Sequence, residues 1–466
     1  VDPGYDRPAQ FAGLRTDLDL NPVGEPLVVY AKPPRDYVPH PQACLITGIT
    51  PQTAQARGVV EAEFIETILK EFMRPGTCAV GYNSLRFDDT VTRATLYRNL
   101  RDPYAREYGD GRSRWDLIDV VRTAYALRPE GLSWPTREDG LPSFRLDDLC
   151  QANGLAQGRA HDALVDVQAT IALAGLLKKR QPRLFEWLFR HRFKQAVQTM
   201  LEPMSQPVLH VSGMFGAQRA NLGLILPLAG HHQNRNEVLC ADLSVDGDLL
   251  IDLSAAELQR LLYTANADLA EDEQRPGLKS VHINRCPVVL PAKMADAAVA
   301  QRAGLDLEVC RGNFQKLREY EQRMPGALRD KLRRLSELST RAPETDPDRM
   351  LYSGGFIPRE DRRTLERILD LSPEELATTT VAFEDARLEE MLFRYRARNY
   401  PQTLSDEEMS RWEEFRFARL SEDDERSLNL EELNALIEER LADPQLAQRD
   451  RLVLEELQRW GDSLLV

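Results

Sequence analysis

A histidine and an aspartate, His161 and Asp166, stand five residues apart, and their side chains suit a phosphodiester-cleaving site that uses two metal ions. His161 could accept a proton, and Asp166 could bind a divalent cation through a hard oxygen ligand. Five residues of regular helix turn about 140° around the axis, so His161 needs a non-helical approach to share a cleft with Asp166. The alternative is an amphipathic helix that begins with His161 and Asp162 as a solvated, capping start.

A second segment carries two adjacent carboxylates, Asp88 and Asp89. It follows the short apolar run 77–80, which fits a buried strand, and precedes helical apolar spacing over 91–100. Asp88 is therefore predicted at a strand-to-helix crossover, where open α/β sheets place their functional groups. Helix N-capping is the structural alternative, and one of the two aspartates is expected to have that role.

Together the two segments resemble the second and third motifs of the DEDDh family of 3′→5′ exonucleases. The motif Asn-x-x-x-Phe-Asp ends at Asp88, and the motif His-x-Ala-x-x-Asp runs from His161 to Asp166. Further stretches spread over the chain resemble the bacterial exonuclease I family, which degrades single-stranded DNA. These stretches are 6–11, 45–51, 113–117, 126–131, 211–217 and 395–399.

The exonuclease I resemblance implies processive 3′→5′ hydrolysis of single-stranded DNA to 5′-mononucleotides, in DNA repair and recombination. It implies that Asp88 and Asp166 hold two Mg²⁺ ions, for which Mn²⁺ could substitute, and that His161 is the general base for the attacking water. It also implies docking of the acidic C-terminal tail of the single-stranded-DNA-binding protein, for which Arg128 is a candidate contact.

The first motif of the family, Asp-x-Glu at the end of the first strand, does not stand ahead of the segment 6–11. Asp-x-Glu occurs at 406–408 and 423–425, in Glu-rich helical sequence that indicates solvated faces. We therefore expect the sequence to be an N-terminally trimmed form of an intact enzyme. The chain as written is expected to bind single strands without cutting them, because two aspartates alone do not fix two divalent cations.

A length of 466 residues exceeds the roughly 250–300 that one core supports, so two or three domains are expected, and the apolar patterning divides the chain into three. The N-terminal domain, 1–181, is predicted to be α/β, and the resemblance implies a ribonuclease-H-like exonuclease fold. It has a hairpin over 9–32, strands near Cys78 and Trp115, and helices at 61–72, 91–100, 119–127, 146–152 and 162–179.

The rest of the chain changes character after residue 181. Alternating apolar residues at 208–212 and 238–243 predict a β-rich second domain over 182–341, which the resemblance identifies as SH3-like. Prolines and charges at 341–348 predict a linker. A helical third domain over 342–466 is predicted from the 3.6-residue spacing at 365–371, 388–398 and 428–460.

Composition excludes several classes of protein. A net charge of −14 argues against a protein that coats nucleic acid non-specifically, although a nuclease needs only a locally positive groove. Six cysteines without metal-ligand spacing predict reduced thiols of a cytoplasmic protein. No apolar run reaches the roughly 20 residues of a membrane span. We expect a cytoplasmic monomer.

Sequence-tolerant binding of a single strand needs arginines for phosphates and aromatic side chains for bases. Two places have that combination, and a third is predicted to be a stacking platform for bases. For the arginines of 394–398 the alternative is a helix core in which they pair with the neighbouring glutamates. The predicted contacts are Arg86 and Phe87 beside Asp88, Met214 and Phe215 between two glycines, and Arg394, Arg396 and Arg398.

Two other functions remain open from the residues alone. One is a single-strand DNA binder that keeps the groove but has lost its catalytic carboxylates. The other is an RNA exonuclease of the same superfamily, although those relatives are usually small and lack the two additional domains predicted here. The sequence immediately upstream of Val1 would discriminate the first of these from an active enzyme.

Overall fold

The structure is a computed structural model that describes residues 2–155, 163–338 and 344–465. Its N-terminal part alternates short strands with helices, as predicted. The elements are β1 Gln10–Gly13, β2 Leu27–Tyr30, α1 Pro41–Thr47, α2 Pro51–Arg57, α3 Glu61–Phe72, β3 Cys78–Gly81, α4 Asp88–Arg98, β4 Ser113–Asp116, α5 Leu117–Leu127, α6 Leu146–Ala152 and α7 Ala163–Arg180.

Two small sheets border a groove in this part. Strands β3 and β4 are parallel, with Gly81 opposite Asp116, so their carboxyl ends lie at the same edge. Strands β1 and β2 form the predicted antiparallel hairpin, in which Gln10 pairs with Tyr30. A groove of about 2190 Å³ is lined by every residue of β1 and β3, and by residues of α3, α4 and α7.

The second part contains a five-stranded antiparallel sheet in the order β8-β7-β6-β5-β9. Strand β6 is buried at eight successive positions, which explains its nearly continuous apolar sequence. The elements are α8 Pro182–Arg190, α9 Lys194–Met200, β5 Val208–Val211, β6 Leu222–Gly230, β7 Glu237–Asp242, α10 Asp248–Asp252, α11 Ala255–Tyr263, β8 Leu278–His282, β9 Val288–Pro291, α12 Ala297–Ala303, α13 Leu307–Arg323 and α14 Ala327–Leu338.

The third part is helical, as predicted from its apolar spacing. Residues 341–343 of the predicted linker lie outside the described residues, and 347–349 form a short 3-10 turn. The helices are α15 Arg359–Leu369, α16 Pro373–Thr378, α17 Arg387–Asn399, α18 Asp406–Ser421, α19 Leu430–Leu441 and α20 Gln448–Ser463.

Shared hydrophobic cores join the three parts. The largest core runs from α5 and α7 through β6 to α14, so the first two parts have one common interior. Tyr97 and Leu100 pack with Leu388 and Met391 of α17, and Val38 packs in a cluster with residues of α19 and α20. The helical part therefore packs directly against the N-terminal part.

Within the described ranges, no helix is long and apolar enough to cross a membrane. All six cysteines have free thiols, as predicted. Helices α3 and α6 have the predicted bounds. Helix α4 begins at Asp88, ahead of the predicted start at Val91, because the first helical turn carries polar side chains that lack apolar periodicity.

Candidate active site

A turn between β3 and α4 positions Asp88. The turn requires a left-handed residue at Asn83 (φ +59°), a conformation that asparagine tolerates. Asp116, at the end of β4, accepts hydrogen bonds from the backbone N–H of Asn83 at 2.7 Å and of Leu85 at 3.1 Å. Asp116 therefore fixes the segment that leads to Asp88. Sequence reasoning missed this role, although the position of Asp116 at a strand end was a usable signal.

The two adjacent aspartates have different surroundings. Asp89 is buried, where it pairs with Arg106 and, at 2.6 Å, with Nη1 of Arg114. Asp88 lines the groove. Phe87 is the N-cap residue of α4 and no side chain caps the helix. The expected capping role for one of the aspartates is therefore wrong, because Asp89 is committed to arginines and Asp88 faces the groove.

The carboxylates of this site have shifted pKa values. Desolvation by the surrounding protein, together with repulsion from the Asp89 carboxylate, raises the pKa of Asp88 to about 6. Burial likewise raises the pKa of Asp116 to about 6, against the effect of its backbone hydrogen bonds. Burial alone would also raise the pKa of Asp89, but Arg106 and Arg114 hold it below its ordinary value. The pKa of the groove-lining Asp88 is thus raised, whereas the pKa of the buried Asp89 is lowered.

Asp166 lies in the first turn of α7 and lines the same groove as Asp88. The structure therefore places both predicted metal ligands on the lining of one groove. Their carboxylate oxygens are the donors that hard divalent cations prefer, so they fit a partial metal site. The described ranges contain no group of three or more metal-ligating side chains. His161, the predicted general base, lies outside the described residues.

The predicted DNA contacts fall into two groups. Arg86 and Met214 are exposed, and Phe87, which lines the groove, is 47 % exposed. Phe215 is only 4 % exposed, with its ring against Gly223 and the cations of Arg219 and Lys279. A Cβ at Gly223 would approach that ring to 2.4 Å. The first three side chains are available to a strand, while Phe215 has a packing role.

The three arginines of α17 have internal partners. Arg394 pairs with Asp346 at 2.5 Å and with Glu390 at 2.7 Å. Arg396 pairs with Glu408 at 2.6 Å. Arg398 bridges Asp36 at 2.8 Å and Asp348 at 2.6 Å. This arrangement matches the alternative of paired arginines, with the neighbouring Glu390 for Arg394 and more distant carboxylates for Arg396 and Arg398. DNA contact by these arginines stays a prediction that the geometry does not support.

Arg128, the predicted partner contact, is exposed at the end of α5. Its Nη1 donates to the carbonyl oxygen of Leu127 at 2.6 Å. No described carboxylate forms an ion pair with it, so its charge is open to an acidic ligand.

Three family models match consecutive parts of the chain. They are the exonuclease model over residues 1–174, the exonuclease I SH3-like domain over 192–335 and the exonuclease I C-terminal domain over 345–464. The chain is 47 % identical to exodeoxyribonuclease I of Escherichia coli, over 89 % of this chain and 86 % of that protein. It is 43 % identical to exodeoxyribonuclease I of Haemophilus influenzae, over 90 % and 88 %.

Solved structures agree with these matches. Exonuclease I from Methylocaldum szegediense has a TM-score of 0.94 at 47 % identity, covering 100 % of this chain and 97 % of that one. Exonuclease I of E. coli in complex with a dA16 oligonucleotide has a TM-score of 0.91 at 44 % identity, covering 99 % and 97 %. A zinc-bound complex of the E. coli enzyme with single-stranded DNA has a TM-score of 0.91 at 43 % identity, covering 100 % and 97 %.

These matches confirm the predicted fold class, while the domain boundaries after residues 181 and 341 stay predictions. The three parts are a ribonuclease-H-like exonuclease domain, an SH3-like domain and a C-terminal helical domain. Because two exonuclease I domain models match its second and third parts, and because it is 47 % identical to an exodeoxyribonuclease I over 89 % of its length, the chain belongs to the exonuclease I family.

Proposed function

We propose that this protein is a 3′→5′ exodeoxyribonuclease that releases 5′-mononucleotides from single-stranded DNA with the help of two Mg²⁺ ions. The observation that carries the proposal is the common groove of Asp88 and Asp166, in a chain matched over its length by exodeoxyribonucleases. Relatives crystallised with oligonucleotides support single-stranded DNA as the substrate. They give no support to the inactive binder or to an RNA exonuclease.

The carboxylates of Asp88 and Asp166 would hold the divalent cations, and a zinc-bound relative supports metal binding by the family. When bound, two such ions activate the attacking water and stabilise the leaving 3′ oxygen. Mg²⁺, with Mn²⁺ as a substitute, suits an all-oxygen ligand set. Asp116 keeps the turn before Asp88 in place, and His161 accepts the proton of the attacking water.

The strands that border the groove support the proposal that further carboxylates belong to the metal site. Among the described strands, β1 pairs only with β2, and β3 pairs only with β4. The groove is lined by all of β1 and β3, but by one residue each of β2 and β4, namely Leu27 and Trp115. It therefore lies between two unpaired strand edges. An extended strand seated there, with the Asp-x-Glu motif of the family, would complete both the sheet and the set of carboxylates.

Contacts with the strand and with a partner are proposed for exposed side chains. Arg86 and Phe87 immediately precede Asp88, so they can hold a phosphate and a base next to the cleaved bond. Met214 extends from the SH3-like domain. Arg128 would receive the acidic tail of the single-stranded-DNA-binding protein. Enclosure of the strand by three domains favours processive degradation, as needed in DNA repair and recombination. The monomeric state and the cytoplasmic location stay predictions.

The test compares digestion of a 5′-labelled single strand by the protein expressed from its complete reading frame and by its Asp88→Asn and Asp166→Asn variants. Both variants should lose Mg²⁺-dependent shortening, because loss of one ligand disrupts the two-ion geometry. The matched control is Asp139→Asn, an exposed carboxylate outside the groove. A rate within about tenfold of the parent in either groove variant would contradict the assignment of that residue.

A further inference from the structure

One arginine that lines the groove, Arg145, has a free guanidinium. Its side chain is exposed, and within the described ranges it forms no ion pair and donates no hydrogen bond; its backbone N–H donates to Oγ of Ser143 at 3.4 Å. The other groove-lining arginines and lysines each donate to an acceptor of the protein. They are Arg7, Arg15, Lys70, Arg74, Arg106, Lys178, Arg190 and Arg192. Among the described residues, the charge of Arg145 is therefore the one left open to a ligand of the groove.

The residue before Arg145 is attached to the turn that leads to Asp88. The hydroxyl of Tyr82, in that turn, donates to the carbonyl oxygen of Phe144 at 2.6 Å. The ring of Phe144 packs edge-on against the ring of Tyr125 in α5, with the centroids 5.5 Å apart. These contacts place Arg145 beside the carboxyl end of β3, the edge of the sheet from which the turn to Asp88 starts.

Helix α6, which follows Arg145, packs against α7, the helix of Asp166. Sγ of Cys150 in α6 donates to the carbonyl oxygen of Ala169 in α7 at 3.8 Å. Burial of this thiol, with the nearby carboxylates of Asp147 and Asp166, raises the pKa of Cys150 to about 11, so α6 lies close to the first turn of α7. Arg145 thus lies where the elements that carry Asp88 and Asp166 meet.

The fold makes no use of the Arg145 side chain. Arg145 is the N-cap residue of α6, but no side chain forms a capping hydrogen bond at this helix. Leu149 and Cys150 are the residues of α6 that are buried in the core. An exposed guanidinium without a protein partner contributes little to stability, so substitution of Arg145 should leave the fold intact.

The chemistry of the groove calls for a cation at the reacting phosphate. Attack of water on a phosphodiester increases the negative charge on the nonbridging oxygens in the transition state, and donors fixed in advance stabilise that charge. The groove also carries the carboxylates of Asp147 and Asp166, which repel it. A guanidinium offers paired N–H donors in the geometry of two phosphate oxygens, and Arg145 can offer them without breaking an ion pair.

We propose that Arg145 is a further catalytic residue, whose guanidinium contacts the nonbridging oxygens of the phosphate that is cleaved and stabilises the charge that develops on them. The inference deepens the proposed function and rests on it, since the phosphate must lie beside Asp88 and Asp166. A contact that strengthens in the transition state raises the cleavage rate more than it raises affinity for the strand. Rate and affinity therefore separate this role from simple retention of the strand.

The test measures single-turnover removal of the 3′-terminal nucleotide of a 5′-labelled oligothymidylate in Mg²⁺, with the protein expressed from its complete reading frame. Arg145→Ala should slow this step about 10²- to 10³-fold, the range for loss of one donor to a developing oxyanion. Affinity for the same strand in Ca²⁺ should fall by less than about tenfold. Arg145→Lys keeps the charge without the paired donors and should recover part of the rate. The matched control is Arg183→Ala, an exposed arginine of α8 that does not line the groove, and its rate should equal that of the parent.

Added methylguanidinium distinguishes direct contact from a structural role. It should restore part of the rate of Arg145→Ala, with saturation, because it can occupy the space of the missing guanidinium, and it should not accelerate the parent or Arg183→Ala. A rate for Arg145→Ala within about tenfold of the parent would overturn the inference, as would a slow variant that methylguanidinium does not accelerate. A parent that fails to shorten the strand in Mg²⁺ would instead contradict the proposed function.

Discussion

Arg398→Met tests whether the arginines of α17 join domains or bind DNA. Nη2 of Arg398 lies 2.8 Å from Asp36 and 2.6 Å from Asp348, and all three side chains are at most 3 % exposed. The variant leaves two buried carboxylates with weaker partners; for Asp36 these are Arg7 at 4.0 Å and Arg419 at 3.9 Å. Removal of one member of a buried ion pair costs about 3 to 5 kcal/mol. We predict a loss of that size in the free energy of unfolding.

The loss should depend on pH. In the parent, burial would raise the pKa values of Asp36 and Asp348, but Arg398 and its neighbours hold both below the ordinary range. Their contribution to stability is present above the unfolded pKa and is lost only as pH falls through the lower folded pKa. Without Arg398 the buried charges are unfavourable, and protonation relieves them. The deficit of the variant should therefore be larger at pH 8 than at pH 4.5.

Urea unfolding followed by tryptophan fluorescence measures this loss, because Trp412 is buried with the guanidinium of Arg398 5.8 Å from its ring. Arg367→Met is the control, since Arg367 is exposed and its side chain, among the described residues, hydrogen-bonds only to Thr364. Its effect should stay within about 0.5 kcal/mol. Asp36→Asn in the Arg398→Met background should recover part of the loss. If Arg398→Met is as stable as the control and binds single strands more weakly, the domain-joining role is refuted and the sequence-based DNA contact is correct.

Three further predictions concern the groove. His161→Ala should lower turnover by about 10² to 10⁴ while affinity for single strands in Ca²⁺ stays unchanged; equal losses in both would indicate a structural histidine. Asp116→Ala should raise the Mg²⁺ concentration needed for half-maximal digestion, because the backbone of Asn83 and Leu85 loses its acceptor; an unchanged Mg²⁺ titration would contradict its positioning role. Asp88→Asn should stabilise the metal-free protein at pH 8 but not at pH 4. The folded pKa of Asp88 is raised to about 6, so ionisation of this carboxyl group destabilises the folded protein as pH rises from 4 to above 6. Water in the groove limits that gain to about 1 kcal/mol, and a gain that is independent of pH would exclude Asp88 as its source.

Local patterns predicted the elements that hold the site, but not its long-range pairings. The bounds of α3 and α6 follow from apolar spacing along one helix face, which is a local property. The positioning role of Asp116 depends on the parallel pairing of β3 with β4, which no short segment specifies.

The same limit explains why the internal partners of the α17 arginines could not be predicted from the sequence. Arg398 was predicted to bind DNA from its aromatic neighbours, but Asp36, its buried partner, is 362 positions away. The local sequence also does not show which of Asp88 and Asp89 is open to a ligand. The structure does, because Arg106 and Arg114 pair with Asp89. Pairings between distant charges therefore decide which polar side chains stay open to a ligand.

Anomalous diffraction from a Mn²⁺ complex tests the central claim most directly. The protein expressed from its complete reading frame would be crystallised with a short single strand whose 3′-terminal linkage is a non-hydrolysable phosphorothioate. We predict two manganese peaks about 4 Å apart, contacting Asp88 and Asp166 and the 3′-terminal phosphate. A strand bound in the groove with no manganese peak at these carboxylates, or with its 5′ end there, would contradict the assignment of this groove as the 3′→5′ exonuclease site.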